Sequence, residues 1–297
     1  MSAYMLKDYL LEEYGRKLYK ISIDAGFFCP NRDGTCGVGG CIFCSGGGSG
    51  DFAEQLAQNG FDACIERGKG RIERKFHPSF AGSNYIAYFQ AFTGTYAPIE
   101  KLEELYEKAV KHPDVAVLSI ATRPDCLSDE VISLLKRLNE RKPVWVELGL
   151  QTMHDKEAEF LNRCYPTRVY DDAVLRLREA GIKVVTHVIL FLPHETKEEM
   201  KQTVLHVVQS GSWGIKLQLL YILKGTRLEQ IYRDQPFFVP ALEEYVEFLG
   251  ELLSLLPDNM VIHRLTGDAP KKLLIEPKWS ADKKRVLNAI AKIKSSH

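Results

Sequence analysis

The hydrophobic pattern of this chain alternates short apolar runs with longer stretches in which apolar residues recur every three or four positions. Short runs rich in Val, Ile, Phe and Tyr predict strands, and the periodic stretches predict amphipathic helices. Six strands are predicted, at residues 18–24, 85–89, 115–121, 144–148, 183–191 and 215–220. Five helices are predicted between them, near residues 51–75, 98–111, 128–140, 169–180 and 197–208. This alternation predicts an α/β fold of βα units around a parallel sheet.

Helix-terminating residues support two of these predictions. Ser128, before two acidic residues, is typical of a helix N-cap, and Gly181 lies where a helix should end. The pattern changes after about residue 225, where prolines interrupt the chain. We therefore predict an N-terminal helical extension (1–17), a βα domain (18–225) with a cysteine- and glycine-rich loop (25–52), and a C-terminal extension packed on that domain (226–297).

Composition limits the classes of function. With 297 residues and 45% hydrophobic content, the chain can bury the core of one large domain. Lys plus Arg and Asp plus Glu both number 39, which excludes nucleic-acid binding through bulk positive charge but not through a local basic surface. Two basic runs are solvated helix faces or phosphate contacts. The first is Arg67, Lys69, Arg71, Arg74 and Lys75, and the second is Lys271, Lys272, Lys278, Lys283, Lys284, Arg285, Lys292 and Lys294.

The cysteine content indicates a reducing compartment. Seven cysteines, four of them within residues 29–44, differ from the dispersed, even set of a disulfide-bonded secreted protein. The first 20 residues mix apolar and charged positions and lack the uncharged core of a signal peptide. No stretch approaches the roughly twenty apolar residues that cross a bilayer. These features predict a cytoplasmic protein without a membrane segment.

Cys29, Cys41 and Cys44 are the strongest candidates for a cofactor site. They stand in the run GFFCPNRDGTCGVGGCIFCSGGGSGDF, where the C-x-x-C turn brings two thiolates to one side and a third can complete one face of an iron-sulfur cluster. Adding Cys36 would instead give a four-thiolate zinc site, although structural zinc sites usually have two closely spaced pairs. Cys36 is thus a bystander, a fourth ligand or a repair ligand.

Polar residues stand near the carboxyl ends of the predicted strands, where parallel α/β folds bind their ligands. A polar side chain inside an apolar strand must also face a partner or a cavity. Their joint placement at one end predicts a common binding site. The residues are Gln90 and Thr93 after the second strand, Arg123 after the third, Glu147 and Gln151 at the fourth, and His187 within the fifth.

Together with the cysteine run, the motifs YIAYFQAFTGTY, IATRPDCL, VELGLQT and VILFLPHET resemble those of the radical S-adenosylmethionine (SAM) superfamily. The cysteine run and the tail HRLTGDAPKKLLIEPKWSADKKRVLNAI resemble the YtqA/YhcC family more closely. Members of that family are relatives of the elongator catalytic subunit without its acetyltransferase domain. The resemblance covers most of the chain and implies a partial (β/α)6 barrel of the TIM type.

The resemblance also implies the cofactors, namely a 4Fe-4S cluster on the three cysteines and SAM on the open iron. Phe43 is expected to pack near the adenine. Gln151 and Arg163 keep a twelve-residue spacing seen in oxygen-independent coproporphyrinogen oxidases, which implies contacts to the ribose and to the SAM carboxylate. His187 takes the place of a ribose-binding aspartate there, and Ile189 that of an adenine contact.

The expected reaction is reductive cleavage of SAM to a 5′-deoxyadenosyl radical. Kinship to the elongator subunit implies a tRNA substrate, with the wobble uridine of the anticodon loop converted from 5-carboxymethylaminomethyl to 5-aminomethyl. An electron donor such as flavodoxin or ferredoxin is implied as well. One alternative is a radical SAM enzyme acting on a peptide or small metabolite, and another is a zinc-dependent nucleic-acid-binding module without enzymatic activity.

Overall fold

The computed structural model describes residues 3–48, 50–56, 60–74 and 84–294. Within these residues, eight strands form one sheet in the order β2-β1-β3-β4-β5-β6-β7-β9, and every neighbouring pair is parallel. The remaining two, β8 and β10, form an antiparallel pair. The strands are β1 (Tyr19–Asp24), β2 (Glu54–Gln55), β3 (Tyr85–Phe89), β4 (Val115–Thr122), β5 (Val144–Gln151), β6 (Lys183–Leu190), β7 (Gly214–Leu219), β8 (Ile222–Leu223), β9 (Val261–Arg264) and β10 (Leu274–Glu276).

The helices are α1 (Leu6–Tyr14), α2 (Gly60–Glu73), α3 (Ile99–Lys111), α4 (Asp129–Asn139), α5 (Asp155–Phe160), α6 (Thr167–Glu179), α7 (Lys197–Ser210), α8 (Arg227–Asp234), α9 (Leu242–Leu253) and α10 (Lys283–Lys294). Helices α2, α3, α4, α6 and α7 connect strands of the sheet and contribute buried apolar side chains to the main core. In the described part of the chain, no helix is long and apolar enough to cross a membrane.

All six predicted strands are confirmed, because their apolar runs are the buried centre of the sheet; every residue of β3, for example, is buried. The Ser128 cap is confirmed too, since its side chain accepts a hydrogen bond from the Val131 backbone N–H. The prediction of a helix from residue 51 was wrong. Residues 51–52 form a turn and Glu54 pairs with β1 as a strand, so α2 begins at Gly60. Lys75 lies outside the described residues.

The chain beyond residue 225 contributes to the sheet itself. Strand β9 pairs with β7, placing Arg264 beside Lys216, and the Ile262 N–H donates to the Tyr4 carbonyl 2.8 Å away. This strand was not predicted because its four residues include His263 and Arg264. The C-terminal segment therefore supplies a strand of the barrel wall, while the boundary at residue 225 stays a prediction.

Helix α1 lies at the end of the barrel where the strands begin. The ring of Tyr9 contacts those of Trp145 and Trp213, with ring centroids 6.1 and 4.8 Å apart. Tyr9 and Leu10 are buried there with the first residues of several strands. Among the described residues, aromatic side chains therefore fill this end of the barrel.

At three strands of the sheet, a residue at or just after the carboxyl end has a positive φ. Phe92 after β3, Gln151 at the end of β5 and Phe191 after β6 have φ values of 56°, 68° and 62°, which are left-handed conformations uncommon outside glycine. Such conformations cost about 1–3 kcal/mol each and concentrate at functional sites. They mark the carboxyl end of the barrel as the place to look for the site.

Candidate active site

The cysteine loop is held by its own backbone and by two polar side chains. The Cys44 N–H donates to the Cys41 carbonyl at 3.0 Å, which closes the C-x-x-C turn and directs both thiols to one side. The Arg32 N–H donates to the Cys29 carbonyl at 2.8 Å, and the Arg32 guanidinium donates to the Ser45 carbonyl at 2.7 Å. Asn31, fully buried, lies with its amide nitrogen 3.6 Å from the Cys41 sulfur. These contacts hold the backbone that carries the three thiols.

The thiols line a cavity of about 180 Å³, which we call the inner cavity. Burial, and next the nearby Cys44 thiol, raises the pKa of Cys41 to about 12. Metal binding would have to displace that proton. None of the seven cysteines, all within the described residues, forms a disulfide. Cys36 is exposed and is not among the residues that line the inner cavity.

The inner cavity brings together most residues expected to contact SAM, from four different strands and two loops. A second cavity of about 740 Å³, the outer cavity, adjoins it and shares several of its residues. Ile189 lines the outer cavity, where it packs in one hydrophobic cluster with Phe43. Eight expected contacts line the inner cavity: Phe43, Gln90, Thr93, Arg123, Glu147, Gln151, Arg163 and His187.

Arg123 is buried in the wall of the inner cavity. Its Nε and Nη2 atoms donate to the two carboxylate oxygens of Asp125 at 2.9 and 2.7 Å, and its guanidinium lies 4.8 Å from the centre of the Tyr165 ring. The Nη2 atom also lies 3.6 Å from the Cys36 sulfur. Asp125 and Tyr165 thus fix the orientation of a cation beside the cysteines.

Arg163, whose contact with the SAM carboxylate stays a prediction, is held by the protein itself. It is 1% exposed, and all five of its N–H groups donate to protein acceptors at 2.6–3.2 Å. Contact with a SAM carboxylate would require one of these bonds to be exchanged. The structure therefore favours a role in holding the segment after β5. The acceptors are the carbonyls of Leu150, Thr152 and Tyr165, the Asp155 carboxylate and the Thr167 hydroxyl.

Glu147 is the centre of a buried charged network that sequence reasoning missed in part. Its Oε1 accepts from Lys20 at 2.8 Å and from Ser119 at 2.9 Å, and its Oε2 accepts from His187 at 2.8 Å and from Lys216. Burial opposes ionisation of Glu147, but the charges of Lys20 and Lys216 outweigh it and hold its pKa well below the usual range. The sequence feature that could have predicted this network is a lysine inside each of two otherwise largely apolar strands, YKISID and GIKLQL.

His187 faces this network from β6. Burial, and next the charge of Lys216, lowers the pKa of His187 to about 4, so the ring is neutral at neutral pH. Because Glu147 is ionised, Nε2 carries the proton and donates to it, leaving Nδ1 to accept from the Gln218 amide 3.4 Å away. The histidine is thereby held in one tautomer between the two cavities.

Comparison with known families identifies this arrangement. The family model described as Radical SAM superfamily matches residues 27–207, and the one described as Radical_SAM C-terminal domain matches residues 212–294. The chain belongs to the radical SAM superfamily. It is an enzyme that uses SAM and a 4Fe-4S cluster, as the resemblance predicted, and this replaces the zinc-module alternative.

Individual proteins refine the relationship. YtqA of Bacillus subtilis is 44% identical over 287 residues, covering 97% of this chain and 88% of that protein, which confirms the predicted resemblance to the YtqA/YhcC family. A tRNA uridine(34) acetyltransferase of Methanocaldococcus jannaschii is 24% identical and covers 88% of this chain and 54% of its own length. The structure of Elp3 from Methanocaldococcus infernus matches with a TM-score of 0.68 at 17% identity, covering 93% of this chain and 63% of that one, which confirms the radical SAM barrel fold.

The cysteines fit the cluster that the superfamily binds. In a four-iron cluster each iron takes its own thiolate, so three ligands surround a cavity and leave one iron open. Cys29, Cys41 and Cys44 surround the inner cavity in that manner. Three soft thiolates that line one cavity are a donor set suited to an iron-sulfur cluster.

Proposed function

We propose that this enzyme acts on the wobble uridine of tRNA and converts a 5-carboxymethylaminomethyl group to 5-aminomethyl. The observation that carries the proposal is the pair of adjoining cavities, because five cationic side chains of the described residues line the larger one, next to the cavity that the three cysteines line. The relative that is named for action on tRNA uridine(34) aligns with 88% of this chain at 24% identity, which supports the substrate class.

In the proposed enzyme, Cys29, Cys41 and Cys44 hold the cluster, and the inner cavity holds SAM against it. When bound, these cofactors supply a 5′-deoxyadenosyl radical that removes a hydrogen atom from the substrate. Phe43 and Ile189 give the adenosine an apolar surface, and Gln151 and His187 stand between the two cavities. An electron donor such as flavodoxin or ferredoxin provides the electron.

The substrate methylene between the amine nitrogen and the carboxylate is the proposed point of attack. Loss of its hydrogen atom leaves a carbon radical stabilised by both neighbours, and loss of one more electron and a proton gives an imine. Water then adds to the imine carbon, the carbon-nitrogen bond breaks, and the products are the aminomethyl group and glyoxylate. The substrate loses two electrons in all: one leaves with the hydrogen atom, and the other would return to the cluster that SAM cleavage oxidises, so that the external donor would be needed only to reduce the cluster at the start.

The two basic runs differ in their fitness for phosphate contact. Arg71 pairs with Glu54 at 2.7 Å and Lys69 pairs with Asp114 at 2.7 Å, so the first run is engaged with carboxylates. In the second run, Lys283 pairs with Asp268, and Arg285 lies 3.4 Å from the Glu243 carboxylate, but Lys284 and Arg285 are both exposed on α10. We infer that the α10 surface contacts phosphates of the anticodon arm.

The test combines a gene deletion with reconstitution. Nucleoside mass spectrometry of tRNA from a deletion strain should show 5-carboxymethylaminomethyluridine in place of its aminomethyl derivatives. The anaerobic, cluster-loaded enzyme with SAM and reductant should convert that tRNA and release 5′-deoxyadenosine and glyoxylate together. The Cys41→Ala variant is the matched inactive control. If the deletion leaves tRNA unchanged and the enzyme cleaves SAM without altering tRNA, the proposal is wrong and a peptide or small metabolite becomes the substrate to seek.

A further inference from the structure

The interior of the barrel contains more positive charge than its own carboxylates balance. Lys20 and Lys216 are two ammonium groups that share the single carboxylate of Glu147. Glu147 is fully buried, whereas 24% of the Lys20 side chain is exposed and this residue lines the outer cavity.

The same imbalance recurs on the opposite wall of the outer cavity. Arg264 and Lys283 share the carboxylate of Asp268, and Arg264 reaches it only at 3.5 Å. The Arg264 side chain is 36% exposed and lines both cavities. Register in the sheet places Arg264 beside Lys216, which in turn is beside His187. Lys20 of β1 therefore lines the outer cavity, Lys216 of β7 lines the inner cavity, and Arg264 of β9 lines both.

Desolvated cations that outnumber their carboxylates stabilise a bound anion, and a guanidinium can hold both oxygens of a carboxylate. We propose that Lys20 and Arg264 bind the carboxylate of the substrate group that is modified, and so hold its methylene at the junction of the two cavities. This inference rests on the proposed function for the identity of the carboxylate. The residues are specificity determinants, because the aminomethyl product carries no anion there and is released.

Two substitutions remove the proposed contacts to the substrate carboxylate and leave each neighbouring carboxylate of the protein with a cationic partner. Lys20→Met leaves Glu147 paired with Lys216 and His187, and Arg264→Gln leaves Asp268 paired with Lys283. Lys20→Arg keeps the charge and should restore binding. Lys108→Met, on the outer face of α3 where Lys108 pairs with Glu104, is the matched control.

The experiment measures binding of the cluster-loaded enzyme, with SAM, to anticodon stem-loops by fluorescence anisotropy. One stem-loop bears 5-carboxymethylaminomethyluridine and the other 5-aminomethyluridine, so phosphates are identical and only the carboxylate differs. The wild type and Lys108→Met should prefer the carboxylated stem-loop by about 10- to 100-fold, the range for a charged hydrogen-bonded contact. Lys20→Met and Arg264→Gln should lose most of that preference, and Lys20→Arg should keep it.

The outcomes separate this inference from the proposed function. If the wild type converts the carboxylated stem-loop and the two variants keep the full preference, the inference is overturned and the proposed function stands. If the wild type converts it without any preference in binding, the inference is likewise overturned. If the wild type neither prefers nor converts the carboxylated stem-loop, the proposed function is wrong, and the inference is wrong as well because it rests on that function. Cluster absorbance and thermal unfolding of each variant identify any loss of binding that comes from misfolding.

Discussion

Replacement of Arg163 by methionine distinguishes a structural arginine from a SAM-binding one. The substitution keeps most of the side-chain length but removes five N–H donors from a position that is 1% exposed. In the variant, the Thr167 hydroxyl can still donate to the Asp155 carboxylate at 2.8 Å. The carbonyls of Leu150, Thr152 and Tyr165 each lose the hydrogen bond that they accept from Arg163. Each buried acceptor left without its donor costs about 1–3 kcal/mol, and removing the buried charge offsets part of the sum.

We therefore expect Arg163→Met to lower the free energy of unfolding by about 3 kcal/mol, a large share of the roughly 5–15 kcal/mol that stabilises a domain. Urea unfolding of the cluster-free protein, followed by circular dichroism, measures this without SAM present. Arg137→Met is the control, because Arg137 makes an exposed pair with Glu103 whose loss should cost less than about 1 kcal/mol.

The affinity of the Arg163→Met variant for SAM tests whether Arg163 is a structural residue. Equilibrium dialysis of the cluster-loaded variant measures SAM affinity independently of unfolding. If Arg163→Met unfolds within about 0.5 kcal/mol of the wild type but binds SAM at least about tenfold more weakly, its principal partner is the ligand. The five bonds to protein would then be replaced when SAM binds.

Three further predictions concern other parts of the molecule. Cys41→Ala should abolish the brown cluster absorption and 5′-deoxyadenosine formation, whereas Cys36→Ala should retain both, because Cys41 lines the inner cavity and Cys36 does not. Measurement of iron content and chromatography of the products check this prediction. Burial raises the pKa of Glu195 to about 7, so its stabilising contribution is full below the unfolded pKa and is lost as pH rises through about 7. Glu195→Gln should therefore raise the melting temperature by an amount that grows from about pH 5 to about pH 8, and a gain independent of pH would contradict that cause. Replacing Lys284 and Arg285 by glutamine should reduce the slope of log affinity for tRNA against log salt by about one each, and an unchanged slope would remove α10 from the interface.

The sequence was sufficient for the parts of the fold that follow from local pattern. The central strands were predictable because their β-branched residues are buried on both faces, and the Ser128 cap because its signal is local. Strand β9 was not, since a four-residue strand with a histidine and an arginine is stabilised by pairing with β7 rather than by its own composition.

The candidate site was predictable where chemistry is carried by unusual residue types. Cysteine spacing and polar strand ends located the inner cavity, but Lys20 and Lys216 were overlooked because lysines are almost always solvated. Their burial depends on Glu147, which is 127 positions from Lys20 in the chain. For Arg163, the spacing from Gln151 suggested a contact with a ligand. In the structure, its N–H groups donate to neighbouring protein atoms instead, which the sequence does not reveal.

The sheet stays open between β2 and β9, which do not pair within the described residues. The outer cavity lies at this gap, with Glu54 of β2 on one side and Arg264 of β9 on the other. A closed barrel admits only what fits through its mouth, whereas a slot in the wall lets one unit of a long polymer slip in sideways while its neighbours remain in solvent. If the substrate is tRNA as proposed, threading from a free end would then be unnecessary, and an internal nucleotide could enter and leave while the rest of the RNA stays folded.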